Sequence, residues 1–135
     1  MPINSNRKGK AGELELAHVL TDHDFPARRG QQYHGGPESH DVVCEIFNDD
    51  LKLLIECMVV EQLNLHKAMD KAVEDCAGKY KPVVMHKKKR TEWLASMRLE
   101  EYLDLMHELA VARAFDRLRR EARECPEEGR GNFNG

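Results

Sequence analysis

One carboxylate restricts this chain more than any other residue in it. From Leu53 to Val60 every residue is apolar except Glu56, which stands between Ile55 and Cys57. A run of that kind predicts a β-strand buried on both faces, central in a sheet. A charged carboxylate buried there without a partner costs several kcal/mol. The fold therefore has to supply Glu56 with a cation, a proton or a hydrogen-bond donor.

The rest of the chain can be read outward from that strand. Leu16, Ala17, Val19 and Leu20 recur at helical spacing and predict a helix from about Lys8 to His23, ended by Phe25-Pro26. Residues 27–33 predict a short polar strand, and 34–39 a turn-rich loop. Asp41 to Phe47 predicts a strand that turns back at Asn48-Asp49-Asp50 into the strand of Glu56, as a hairpin. Asn64 is a good N-cap for a helix carrying Leu65, Ala68, Met69, Ala72 and Cys76, with Gly78 at its end. Strands follow over 81–86 and 93–97, and then a long helix begins at Leu99. Helices alternating with strands predict a mixed α/β domain, a central sheet flanked by helices. One domain is expected over residues 1–125, with a disordered tail over 126–135.

Composition narrows the class. Charged residues make up 33% of the chain, which describes a folded protein with a heavily charged surface. No run of about eighteen apolar residues occurs, so no membrane span is expected. The N-terminus lacks the pattern of a signal peptide, which points to the cytoplasm. Four cysteines without a C-x-x-C pair fit reduced thiols rather than zinc. The formal net charge is -3, yet basic residues gather at Arg7-Lys8-Gly9-Lys10, at Arg28-Arg29 and at His86-Lys87-Lys88-Lys89-Arg90. Clusters of this sort suit contacts to a phosphate backbone. Singly, each also suits a solvated surface.

Two further acids stand out by position. Glu13 lies on the apolar face of the first helix, three, four and seven residues before Leu16, Ala17 and Leu20. Asp41 begins the strand before that of Glu56. A hairpin turning at Asn48-Asp49 would bring the two carboxylates to cross-strand distance, about 5 Å. Carboxylates that close repel unless a cation lies between them, and Mg²⁺ takes oxygen ligands of this type. A structural reading competes: Asp41 capping a turn, Glu13 paired with a lysine, Glu56 paired with Arg28 or Arg29.

The pattern Asp41 … Glu56-Cys57-Met58 resembles the PD-(D/E)xK nuclease motif. The helix start Arg7-Lys8-Gly9-Lys10-Ala11-Gly12-Glu13 is similar to that of archaeal-type Holliday junction resolvases and their phage relatives. The resemblance covers roughly residues 7 to 105. It implies a restriction-endonuclease-like fold and a homodimer that resolves four-way DNA junctions by phosphodiester hydrolysis with Mg²⁺ or Mn²⁺. It further implies metal binding by Asp41 and Glu56, a ligand from the backbone carbonyl of Cys57, and Glu13 reaching the metal through water. Arg7, Lys8, Lys10, Arg28, Arg29, Gln32, Lys87, Lys88, Lys89 and Arg90 would hold branched DNA.

Met58 departs from the motif, which has lysine there. Strand alternation places residue 58 on the face of Glu56. Methionine keeps the unbranched length of lysine but offers no charge and no donor. Three readings stay open: an inactivating substitution, a lysine relocated to Lys52 or Lys67, or a non-cleaving junction-binding protein. Other DNA nucleases with this motif, acting on flaps, nicks or ends, are a fourth possibility.

Overall fold

A computed structural model describes residues 5–30 and 40–124. The loop expected over 34–39 and the tail expected over 126–135 fall outside those residues. The chain divides into two compact units, Met1–Arg98 and Leu99–Gly135.

The first unit is the α/β part. Helix α1 (Ser5–Asp22) buries Leu16, Ala17 and Leu20, the stripe its sequence spacing predicts. It stops where Asp24 takes a left-handed φ of 69° and the Phe25 N–H returns to the Leu20 carbonyl. Pro26 could not continue the helix. Strand β1 (Ala27–Arg29) pairs antiparallel with β2 (Val42–Cys44), Arg28 opposite Val43. Strand β3 (Leu53–Val59) pairs in parallel with β4 (Lys81–Lys87), so Glu56 faces Val84 and Met58 faces His86. Strand β5 (Leu94–Ser96) runs antiparallel to β4 on its other side.

Between β3 and β4 lies α2 (Leu65–Cys76), the crossover a parallel pair requires. Asn64 caps it by accepting the Lys67 N–H at 3.1 Å. The left-handed residue at its end is Ala77, with Gly78 following at φ 77°, one position earlier than the glycine alone suggests. The core gathers where β3 and β4 meet the two helices: Val42, Leu54, Ile55, Val84 and Cys76 are almost wholly buried.

The expected hairpin is not formed. Strand β2 ends at Cys44, and Ile46–Asp50 winds into a single π-helical turn closed by the Leu51 N–H on the Ile46 carbonyl. The reason is Asn48. Its side chain turns inward, is buried, accepts the Cys44 N–H at 3.0 Å and donates to the Leu53 carbonyl at 2.7 Å. One side-chain amide thus supplies to β2 and β3 the hydrogen bonds that a ladder would have supplied.

The second unit is helix α3 (Leu99–Glu124). None of its residues is buried, and Leu99, Leu103, Phe115 and Leu118 are each more than half exposed. Tyr102, Met106 and Leu109 are exposed as well. No described helix is long and apolar enough to cross a membrane.

Candidate functional site

The site is built around the middle of β3. Successive side chains of a strand alternate between faces, so Glu56 and Met58 share one face and Cys57 and Val59 the other. Helix α1 crosses the Cys57 face: a Cβ added to Gly12 would come within 2.8 Å of Val59 Cγ2. Helix α2 lies on the Glu56 face and sends Lys71 across to it.

Asp41 enters from the edge. Its Oδ2 accepts the Cys57 backbone N–H at 2.9 Å, so the carboxylate is pinned to β3 by a side-chain bond instead of by strand register. A glycine makes that approach possible. Gly30, after β1, donates its N–H to the Asp41 carbonyl at 3.0 Å, and a Cβ there would collide with the His40 carbonyl oxygen at 1.8 Å. Asp41 therefore sits at the residue next to Glu56 and its charge reaches that carboxylate, but not through the cross-strand pairing the sequence reading expects.

The electrostatics of the pair are unfavourable. Burial raises the Asp41 carboxyl to about 6; the Glu13 and Asp75 charges push the same way, and the Cys57 N–H and Lys71 oppose them. Glu56 rises to about 7, first through burial and next through the Asp41 charge, with Lys71 again opposing. Lys71 Nζ lies 3.7 Å from Glu56 Oε1, and its side chain is mostly exposed, so it neutralises the pair only in part. Near neutral pH, a cation would find one carboxylate mostly ionised and the other about half so.

Glu13 is held differently. It is buried, and Arg29 donates to its Oε2 at 2.6 Å. That pairing agrees with the structural reading of Glu13, although the partner is an arginine from β1 and not a lysine. It also engages Arg29, one of the expected DNA contacts. The Cys57 thiol is pushed up to about 12 by burial and by the surrounding acids, so it stays protonated and is no thiolate nucleophile.

The expected DNA contacts divide. Lys10, Arg28, Lys88, Lys89 and Arg90 are exposed, with Arg28 in a loose pair with Glu45. Lys87 is mostly buried: it pairs with Glu15 and lies over the Trp93 ring, whose Nε1 also donates to Glu15. That cluster ties β4 and the loop after it to α1. Gln32 and the side chains of Arg7 and Lys8 fall outside the described residues.

Lys52 and Lys67, the two positions considered for a relocated lysine, are not the ones brought to Glu56. Lys52 precedes β3, about 13 Å along the strand from Glu56, and its carbonyl accepts the Lys81 N–H. Lys67 begins α2 at its capped, exposed end. The lysine at Glu56 is Lys71, one helical turn further on, with Asp75 one turn beyond that. Sequence reasoning missed both. Their signal was spacing: 71 and 75 flank Ala72 and Cys76, the buried positions of α2.

Among the described residues no group of three or more His, Cys, Asp or Glu side chains forms a ready metal cage. Mg²⁺ does not demand one, since it is commonly held by one or two carboxylates, water and substrate phosphate. No family model, curated protein or solved structure matches the chain.

Proposed function

We propose that this protein is a structure-selective DNA endonuclease whose Asp41–Glu56 pair binds Mg²⁺ or Mn²⁺ and hydrolyses phosphodiesters at four-way junctions. The observation that carries the reading is the pair itself: a buried Glu56 and a half-buried Asp41 pinned to the next backbone N–H, with the Asp41 charge raising the affinity of Glu56 for positive charge. Such a site is costly as architecture and useful as a cation receptor. A divalent ion bound there would lower the pKa of a water and stabilise charge on the phosphate.

The residues have distinct parts. Asp41 and Glu56 would hold the ion, the Cys57 N–H orients Asp41, and the Cys57 carbonyl is the third ligand the motif resemblance implies. Glu13, with Arg29 on it, would act on the site through its charge or through water. In the reaction, water adds to phosphorus and one P–O ester bond breaks, leaving a phosphomonoester and a hydroxyl end. Lys88, Lys89 and Arg90 form an exposed basic turn after β4, suited to a phosphate backbone in a salt-dependent way. The preference for four-way junctions rests on the motif resemblance, and a two-fold dimer would present two sites to such a substrate. The exposed apolar side chains of α3 favour association through that helix.

Met58 favours a second reading, a junction-binding protein that does not cut. One assay separates the two. A labelled four-way junction and a duplex of equal length are incubated with Mg²⁺ at equal salt, using the native chain and Glu56→Gln. Paired symmetric nicks from the native chain alone establish the nuclease. Tight junction binding with no nicks from either protein establishes the second reading.

A further inference from the structure

We infer that Lys71, from helix α2, supplies the catalytic ammonium group that position 58 of β3 lacks. The inference rests on the nuclease reading and makes this chain a complete enzyme instead of an impaired one.

Three observations lead there. Lys71 Nζ stands 3.7 Å from Glu56 Oε1, so a lysine is already present at the carboxylate pair. It arrives on the sheet face that Glu56 and Met58 share, because α2 covers that face and β3 alternates. Its side chain is 70% exposed while that of Glu56 is 11% exposed, so the ammonium group stands over a buried acid and open to a substrate. Met58 completes the picture by what it omits. A lysine at 58 would place a second cation on the same face, and methionine leaves that space to Lys71 without competing for Glu56.

In the reaction Lys71 remains protonated. It donates an N–H hydrogen bond to a non-bridging phosphate oxygen as water adds to phosphorus and the P–O ester bond breaks; solvent takes the proton the attacking water loses and supplies the one the departing oxygen takes. A donor aimed at developing charge in this way is commonly worth about 100- to 1000-fold in rate.

The test compares the native chain, Lys71→Met, Lys71→Arg, Met58→Lys and the double variant Met58→Lys/Lys71→Met. Cleavage of a labelled four-way junction in Mg²⁺ is read beside Mn²⁺ binding by calorimetry and melting temperature. The native chain is expected to nick the junction, and Lys71→Met to nick it at least 100-fold more slowly. Lys71→Arg should keep part of the rate, and the double variant should recover at least tenfold over Lys71→Met. Lys71→Met should bind Mn²⁺ as tightly as the native chain or more tightly, since it removes a competing charge from Glu56; weakened Mn²⁺ binding would mark Lys71 as a structural prop and overturn the inference. Cleavage by Lys71→Met within threefold of native would overturn the inference and leave the nuclease reading standing; cleavage by Met58→Lys where the native chain gives none would overturn the inference and leave the native chain as the non-cleaving junction binder. If no protein in the set cuts any DNA while Mn²⁺ still binds, the nuclease reading itself fails, and the role of Lys71 with it.

Discussion

Glu13 and Glu56 are equally buried, each 8% exposed, and lie on opposite sides of β3. Glu13 has an arginine at 2.6 Å from the neighbouring strand and is satisfied within the protein. Glu56 has a lysine at 3.7 Å, mostly in solvent, and a second carboxylate beside it. Two acids of the same type and burial thus have different fates. A buried carboxylate points to function when its partners leave it short of positive charge, and burial alone does not. Asp41 stands between the two, pinned to β3 at Cys57, feeling the charge of Glu13 and making Glu56 hold its proton more tightly.

The contrast can be broken from either side. The largest effect is expected at Glu56. Glu56→Gln should reduce Mg²⁺-dependent cleavage at least about 1000-fold, the order expected when a metal ligand and its charge are lost, and should abolish the rise in melting temperature caused by Mn²⁺. At the other acid the effect falls on stability. Arg29→Met takes the arginine away from the buried Glu13 carboxylate and should cost about 3 kcal/mol in urea unfolding, whereas Glu13→Gln/Arg29→Met should recover most of that. If the double variant were no more stable than the single one, the pair would not be what holds Glu13.

Next comes Asn48, which joins β2 to β3 and so holds Asp41 in reach of the site. Asn48→Ala leaves the Cys44 N–H and the Leu53 carbonyl without their partner and should cost about 2 to 3 kcal/mol. Asn48→Asp should cost less, because it can still accept from Cys44.

The pH dependence sharpens the comparison further. Asp41 and Glu56 have folded-state values of about 6 and about 7, above their ordinary values. The folded protein therefore holds protons that the unfolded chain releases. The corresponding stability is full below about pH 4 and is lost as pH rises through 6 and 7. Metal-free protein should be less stable at pH 8 than at pH 5 by roughly 4 kcal/mol from this source. Glu56→Gln should flatten the difference, and Mn²⁺ should stabilise more at pH 8 than at pH 5. A metal-free stability curve that rises from pH 5 to pH 8 would mean that the carboxylates are not strained. The smallest effect is expected at Lys71, whose pair with Glu56 is largely solvated. Lys71→Met should change unfolding stability by less than about 1 kcal/mol.

Much of this arrangement could be read from the sequence. Helix α1, the buried strand β3, the Asn64 cap of α2 and the strand β4 follow from apolar spacing and local turn chemistry, which act within a few residues. Glu13 and Glu56 were visible because each interrupts an apolar pattern, and Asp41 because it begins the strand that leads to Glu56. The hairpin was misjudged because Asn48-Asp49-Asp50 is as good a tight turn as it is a wide one. Only burial of the Asn48 side chain between Cys44 and Leu53 decides between them. Lys71 and Asp75 were missed because charged residues on a helix ordinarily face solvent, and nothing local marks the ones that a crossover turns toward a neighbouring strand.

The division has a physical basis. The sequence by itself determined which segments become helix and strand, and that Glu13, Asp41 and Glu56 must be answered by something, because periodicity and desolvation are properties of a residue and its near neighbours. Only the tertiary structure decided what answers them: Arg29 for Glu13, the Cys57 N–H for Asp41, and Lys71 in part for Glu56. Those pairings join residues 15 or 16 positions apart. Electrostatic partnership depends on distance through space, and the packing of α1 and α2 on the two faces of β3 sets that distance.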